Sequence, residues 1–480
     1  MKPYRLLLCL LLALSLLLCG CGDVPPDPSD PSEPPKLEAG ADPFATCESV
    51  PTDPERADAS FGALTVKTAV QNGITEEDGV YTVTKGGDYT LSGTLEGALR
   101  IEVSKTEKVK LILAGLSLTS RTHAPISLVS ADELTVKAEG GTYNVIYDAR
   151  AASALGQEDA AIYAKDDLTL SGSGTLIVRS DFGMGVRSSN DVTVKNVTAK
   201  IIAFDTALRG GDSVTVESGA LCLISRTEDG IKTANTDISQ KGKQRGLVEI
   251  LSGRVDIFSA ADGIQAAYSY KQTAGATVTV RAGSYGADPY DTAAAVTPAA
   301  SAKGIKCEHE LDIAGGMLFV MATEDALQAN GGTVHENGKT GTGTLHVQGS
   351  AQVFCASHAT ALQADGALTL ASGAYLVTEP LGEDAEPIKV TGTLTLTGAT
   401  VLVLGTSDAL TAPTLSLTDL TLPAGTYTLG GAEEVLAVFT VHETTEELTL
   451  LSGGTLPSGE YTLKDRDGVT VHTVAVGGVD

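Results

Sequence analysis

Residues 160–180 read AAIYAKDDLTLSGSGTLIVRS, and this stretch decides the fold. It opens on a small-small-aliphatic step ending at Ile162. Apolar Leu168, Leu170, Leu176 and Val178 then alternate with polar Thr169, Ser171, Thr175 and Arg179. Such alternation makes a strand with one apolar face. Gly172-Ser173-Gly174 reads as a turn between two such strands. The phrase returns along the chain, with anchors at Ile162, Val186, Leu208, Ile231, Ile264, Ile305, Leu327 and Leu362. Successive separations are 24, 22, 23, 33, 41, 22 and 35 residues, so the long ones read as the same unit carrying an insertion. Units of this kind cover their apolar faces only by stacking on their neighbours. The expectation is an all-β chain: a right-handed parallel β-helix, or solenoid, over residues 61–400. Each turn would rise about 4.8 Å above the last.

The flanks read differently. Lys2 and Arg5 precede an apolar run, Leu6 to Leu18, too short to span a bilayer. Leu18-Cys19-Gly20-Cys21 then resembles a bacterial lipobox. Residues 1–21 are therefore expected to be a lipoprotein signal peptide with Cys21 as the lipidation site. That would make the protein a membrane-anchored lipoprotein on the extracellular side of the cell surface. Residues 22–60 are rich in Pro, Asp and Ser and read as a disordered linker, because they cannot bury enough apolar surface to fold. Residues 401–480 lose the period. Two related phrases there, LTLPAGTYTLGG (420–431) and GTLPSGEYTLKD (454–465), read as strand, Pro turn, strand. The segment is expected to be a small antiparallel β cap that covers the open end of the stack. Insertions near 235–246, 268–275, 284–300 and 333–343 read as surface loops.

Charge excludes one class of partner. With 60 acidic against 33 basic residues, the net charge of −27 argues against nucleic acid. Catalytic signatures are thin: no HExxH, Gly-x-Ser-x-Gly or phosphate-cradling motif is present. The cysteines Cys21, Cys47, Cys222, Cys307 and Cys355 match no zinc spacing.

Aligning the turns on their anchors produces columns. Two positions before the anchor stand Asp229, Asp262 and Asp325, and four positions after it stand Asp166, Asn190, Asp212 and Asn235, with Asp167 and Asp191 beside that second column. Stacked carboxylates raise each other's pKa or recruit a cation. Hard oxygen donors suit Ca²⁺, so Asp166, Asp167, Asp191, Asp212, Asp229 and Asp262 are candidate calcium ligands. The alternative is a turn role, since Asp and Asn side chains bond nearby backbone N–H groups. One position after the anchor runs a column of long polar groups: Arg187, Arg209, Lys232, Gln265, Lys306, Gln328 and Gln363. It could hold sugar hydroxyls or carboxylates, or neutralise the acidic columns. The chain has no Trp, so Tyr268, Tyr270, Tyr285 and Tyr290 are the candidates for stacking on sugar rings.

The ordered series DDLTLSGSGTL, EDGIKTAN, ADGIQA and SAKGIK resembles a family of bacterial surface carbohydrate-binding domains, of the clostridial cellulose- and pectin-binding β-helix type. The likeness runs from about residue 70 to 400. It implies a right-handed parallel β-helix, bound calcium and binding of plant-type polysaccharide. Asp229 and Asp262 fall on the family's Asp-Gly-Ile phrases, and Asp166, Asp167 and Asp212 on its turn phrases. Thr206 and Lys303 depart from the pattern, and Asp325 is followed by Ala-Leu. The expected function is calcium-dependent, non-catalytic binding of a cellulose- or pectin-like glycan by a monomer. The rivals are a calcium-dependent polysaccharide lyase on the same scaffold and an adhesin for a protein partner.

Overall fold

The computed structural model describes residues 61–154, 156–287, 299, 301–405, 415–418, 420–432, 434–452 and 456–476. The expected signal peptide, Cys21, the expected linker and Tyr290 lie outside the described residues.

The anchors stack. Ile162 pairs with Val186, Val186 with Leu208, and the row continues through Ile231, Ile264, Ile305, Leu327 and Leu362 to Ile388. Their strands form a thirteen-stranded sheet that is parallel from Val80–Val83 onward. Each turn of chain also adds one strand to each of two further parallel ladders. Leu168, Val192, Val214 and Val248 form the inward row of the first ladder. Leu176, Ala199, Leu221 and Val255 form that of the second. The side chains of these two rows are at most 1% exposed and share one continuous core with the anchors. Burying such a residue is worth about 1.5–3 kcal/mol, so the register of the whole stack is fixed by the rows.

The glycine of the repeated phrase is required by close approach. A Cβ on Gly263 would lie 2.1 Å from Val280 Cγ1 and 2.6 Å from the carbonyl oxygen of Gly304. Gly230 stands in the same relation to Ile257 and Gly263.

The strand pairing corrects the expected open, right-handed β-helix. Lys108–Ser120 and Leu247–Ser259 are each 13 residues long, and each pairs with both ladders at once. Hydrogen-bonded neighbours therefore run from Lys108–Ser120 through Glu133–Ala138, Asp167–Gly172, Asp191–Lys195 and Ser213–Val216 to Leu247–Ser259. They return through Gly219–Ser225, Val197–Ala203, Thr175–Ser180 and Tyr143–Asp148. By connectivity this is a closed ring of ten parallel strands, a parallel β-barrel with further strands outside it. The sequence reading missed the closure because it took the unit at Gly172-Ser173-Gly174, two strands joined by a glycine turn, as the pattern of every repeat. Gly115 and Gly253 instead carry the backbone through at φ 87° and 91°, so two short strands become one. Glycine inside a strand marks a bulge as readily as a turn.

The C-terminal strands differ. Leu448–Ser452 runs antiparallel on Thr400–Leu404, the last strand of the second ladder. A four-stranded antiparallel sheet follows, in the order Val435–Val441, Gly425–Gly430, Gly459–Asp465, Thr470–Val476. The two related phrases supply its central strands. Each fixes its turn in the same way: Tyr427 donates to the Pro423 carbonyl at 2.8 Å, and Tyr461 to that of Pro457 at 3.0 Å. The sheet does not sit across the end of the stack alone. Leu429, Ala437 and Phe439 pack on Phe319, Phe354, Tyr375 and Val377, which point outward from the second ladder.

Candidate functional site: an outward polar row

On the thirteen-stranded sheet the residue after each anchor points away from the core. Strand by strand these residues are Arg100, Ser127, Tyr163, Arg187, Arg209, Lys232, Gln265, Lys306, Gln328, Gln363 and Lys389. Parallel pairing places neighbours about 4.8 Å apart, so the row is a ladder of long donors on a strongly acidic protein. Arg187 is held by Asp159, with Nη1 at 2.5 and 2.6 Å from the two carboxylate oxygens, and its guanidinium lies 5.6 Å from the Tyr163 ring. Lys232 pairs with Asp229 at 2.6 Å, Lys306 with Glu308 at 3.6 Å, and Gln328 donates to Asp325 at 2.6 Å. The Arg209 side chain makes no ion pair or hydrogen bond to another described residue, and neither do the side chains of Gln265 and Gln363. From Arg187 to Lys306, free donors therefore alternate with anchored ones.

The acidic residues behind the row are occupied. Asp229 accepts from the backbone N–H of Asp262 at 3.1 Å, Asp262 from that of Lys303 at 2.8 Å, and Asp325 from that of Thr360 at 2.9 Å. Each carboxylate thus ties its own turn to the next. Burial pushes all three carboxyls above the usual carboxylate range, against the pull of these N–H groups and of nearby lysines.

The second acidic column lies at the next turn. Asn190 donates to Asp166 at 3.4 Å, and Asn235 to Asp212 at 2.5 Å. Arg245 also pairs with Asp212 at 2.7 Å, and burial raises that carboxyl. Asp191 accepts from the Ser213 hydroxyl at 2.7 Å. The Asp167 carboxyl is pushed up by lost hydration first and by Asp191 and Glu133 next, although the residue as a whole stays exposed.

Residues 77–344 match the model of a family described as carbohydrate-binding domain-containing protein. The match covers more than half of the chain. The chain belongs to this family. A relative from Acetivibrio thermocellus with the same description is 33% identical over 136 residues, which are 27% of this chain and 48% of the relative. The chain thus spans about half the length of that relative. A solved structure described as the polysaccharide lyase-like protein from C. thermocellum, gadolinium derivative, is 30% identical and covers 54% of this chain and 96% of its own, with a TM-score of 0.44.

A calcium ion was expected in this member of the family, and the side chains present do not make a cage for one. Among the described residues no three His, Cys, Asp or Glu side chains converge to hold a metal. Ca²⁺ takes six to eight oxygen ligands. The carboxylates of both columns instead receive N–H, ammonium, guanidinium and hydroxyl donors from the protein.

The tyrosines were placed least well. Tyr270 is 1% exposed, its hydroxyl bonds Gln272 at 3.0 Å, and burial raises it far above an ordinary phenol. Tyr268 is buried between His309 and His335, with ring centroids at 4.3 and 4.7 Å. His335 belongs to the hairpin Gly331–Val334 with Thr340–Thr342, which roofs that stack. The tip of this hairpin also grips the 235–246 insertion. Thr236 N–H donates to Glu336 at 3.0 Å, Glu336 N–H to the Thr236 hydroxyl at 3.0 Å, and Asn337 to Gln244 at 2.7 Å. Tyr285 is half-buried against His358 at 2.8 Å. Among the described residues the exposed rings are Phe182 and Phe204, each four positions before its anchor in the turn between repeats. Cys222, Cys307 and Cys355 are buried free thiols, and burial pushes Cys307 up to about 12.

Proposed function

We propose that the protein binds a polysaccharide along the outward row of the thirteen-stranded sheet. The observation that carries this reading is the row itself. Its rungs repeat at nearly the length of one pyranose unit in an extended glycan, and its free donors at Arg209 and Gln265 face solvent between rungs fixed by ion pairs, with a further free donor at Gln363. Guanidinium and amide groups bond hydroxyls and bind carboxylates tightly, so neutral and uronate-bearing chains of the cellulose and pectin kinds both suit the row. Membership of a carbohydrate-binding family supports the same reading. Calcium has no assigned part in it, because the acidic columns are already satisfied from within the protein. The basic and apolar segment ending at Cys21 supports display at the cell surface through a lipid anchor.

Retention of the full chain on insoluble cellulose and on pectate, with and without chelator, tests the proposal. Retention is expected, and it should fall for the Arg209→Ala, Gln265→Ala double variant. No retention on any glycan would sink it. Unsaturated uronate products released from pectate, read by ultraviolet absorbance, would replace binding with lyase action.

A further inference from the structure

Phe182 and Phe204 stand out on a surface otherwise poor in exposed rings. They are 44% and 39% exposed, and their centroids lie 5.9 Å apart at an angle of 47°. Both sit in the turn that leads into an outward-row strand, ahead of Met184–Ser188 and Leu208–Gly210. Among the described residues Phe182 lines no cavity itself, but its turn is bonded to a loop that does. Met184 N–H donates to the Asp159 carbonyl at 2.8 Å, and a Cβ on Gly183 would lie 2.5 Å from the same oxygen. The loop that includes Gln157 and Glu158 is therefore pressed against the turn that carries Phe182.

That loop walls an open cavity of about 330 Å³, lined also by His123, Tyr163 and Lys165. Arg150 makes the wall rigid. It is 2% exposed, clamps Asp148 at 2.8 and 2.6 Å, and donates to the carbonyls of Glu158 at 2.8 Å and Ala160 at 3.2 Å. Tyr163 is itself a rung of the outward row, and neither its hydroxyl nor the Lys165 ammonium has a hydrogen-bond partner among the described residues. The place thus combines two ring faces, a concave pocket of ligand size and unsatisfied polar groups. The C–H face of a pyranose stacks on phenyl rings while its hydroxyls seek such groups. Two rings framed by charged side chains are too small an apolar area to dock a protein partner.

We propose that the Phe182–Phe204 pair and the adjoining cavity form a second sugar-binding subsite beside the row. One pyranose lies on the phenyl faces, and a neighbouring unit or branch directs its hydroxyls to Gln157, Glu158, Tyr163 and Lys165. This rests on the polysaccharide reading above.

The test compares full-length variants on the polysaccharide that retains the wild type, and titrates short cello- and galacturonate oligosaccharides by calorimetry. The Phe182→Ala, Phe204→Ala double variant should weaken binding by about ten-fold, the size of an aromatic contact. Its melting temperature should not move, and Phe182→Trp should keep affinity at or above wild type. Gln157→Ala should weaken binding without any loss of a ring. If both the ring and the Gln157 variants bind like wild type while the Arg209 variant loses retention, the subsite is refuted and the row stands. If the wild type binds no glycan, both fall together.

Discussion

The parallel stack and the C-terminal antiparallel sheet bury apolar surface in opposite ways. In the stack every inward side chain is covered by its counterparts one turn above and below, as Ile264 is by Ile231 and Ile305. No turn could fold alone. The C-terminal sheet pairs neighbours close in sequence, but its apolar face is covered by residues of the stack, among them Phe319 and Phe354. The dependence runs one way: the sheet needs the stack as a floor, while most of the stack does not touch the sheet.

The sharpest way to break this comparison is Ile264→Ala. A cavity at a fully buried aliphatic costs about 2–5 kcal/mol, and both regions should lose stability together in a urea melt followed by two probes. A C-terminal sheet that stays folded would show that it needs no floor. Tyr375→Phe should do the converse. The Tyr375 hydroxyl donates to the Val438 carbonyl at 2.6 Å and accepts from the Val438 N–H at 3.1 Å, deep in the interface. Leaving those buried groups unpaired costs about 1–3 kcal/mol. Hydrogen exchange should quicken in residues 425–441 and stay unchanged around residues 162–266.

Asp262→Asn refines the picture of the stack. Burial holds this carboxyl above its unfolded pKa, so the fold binds the proton more readily than the unfolded chain does. The stability this gives is complete below the unfolded pKa of about 4, and it is lost as pH rises through the folded pKa. The asparagine keeps an oxygen for the Lys303 N–H and removes the charge. The variant should therefore have the higher urea midpoint at pH 7, with the advantage fading in acid. A variant that is weaker at pH 7, or a wild type that chelator destabilises, would mean that a cation uses this carboxylate after all. The smallest effect on stability belongs to Arg209→Ala, which should change the melt by less than about 0.5 kcal/mol while reducing retention on glycan.

The sequence carried the rows because buried anchors recur with the repeat. The side chain after an anchor must then face outward, so Arg187, Arg209, Lys232 and Lys306 could be read as one line before any coordinates. Strand closure could not be read. A glycine between two alternating stretches has the same letters whether the chain turns or runs on through a bulge, as it does at Gly253. The tyrosines misled for a related reason: Tyr268 and Tyr270 follow an anchor too closely to escape the stack. Phe182 and Phe204 were overlooked because no other anchor has a phenylalanine four positions before it, so two rings made no column. The occupants of the first acidic column were hidden as well, since Asp229, Asp262 and Asp325 accept from main-chain N–H groups of the following turn.

The clasp between the 235–246 insertion and the hairpin at residues 331–342 has a consequence for how this molecule comes apart. It ties together loops that begin on the Ile231 and Leu327 turns and leaves the Ile264 and Ile305 turns enclosed between them. Those four layers cannot peel away singly, as the ends of a repeat array ordinarily fray. They must open as a block, and the segment under the clasp should be the slowest of the whole chain to exchange its amide hydrogens.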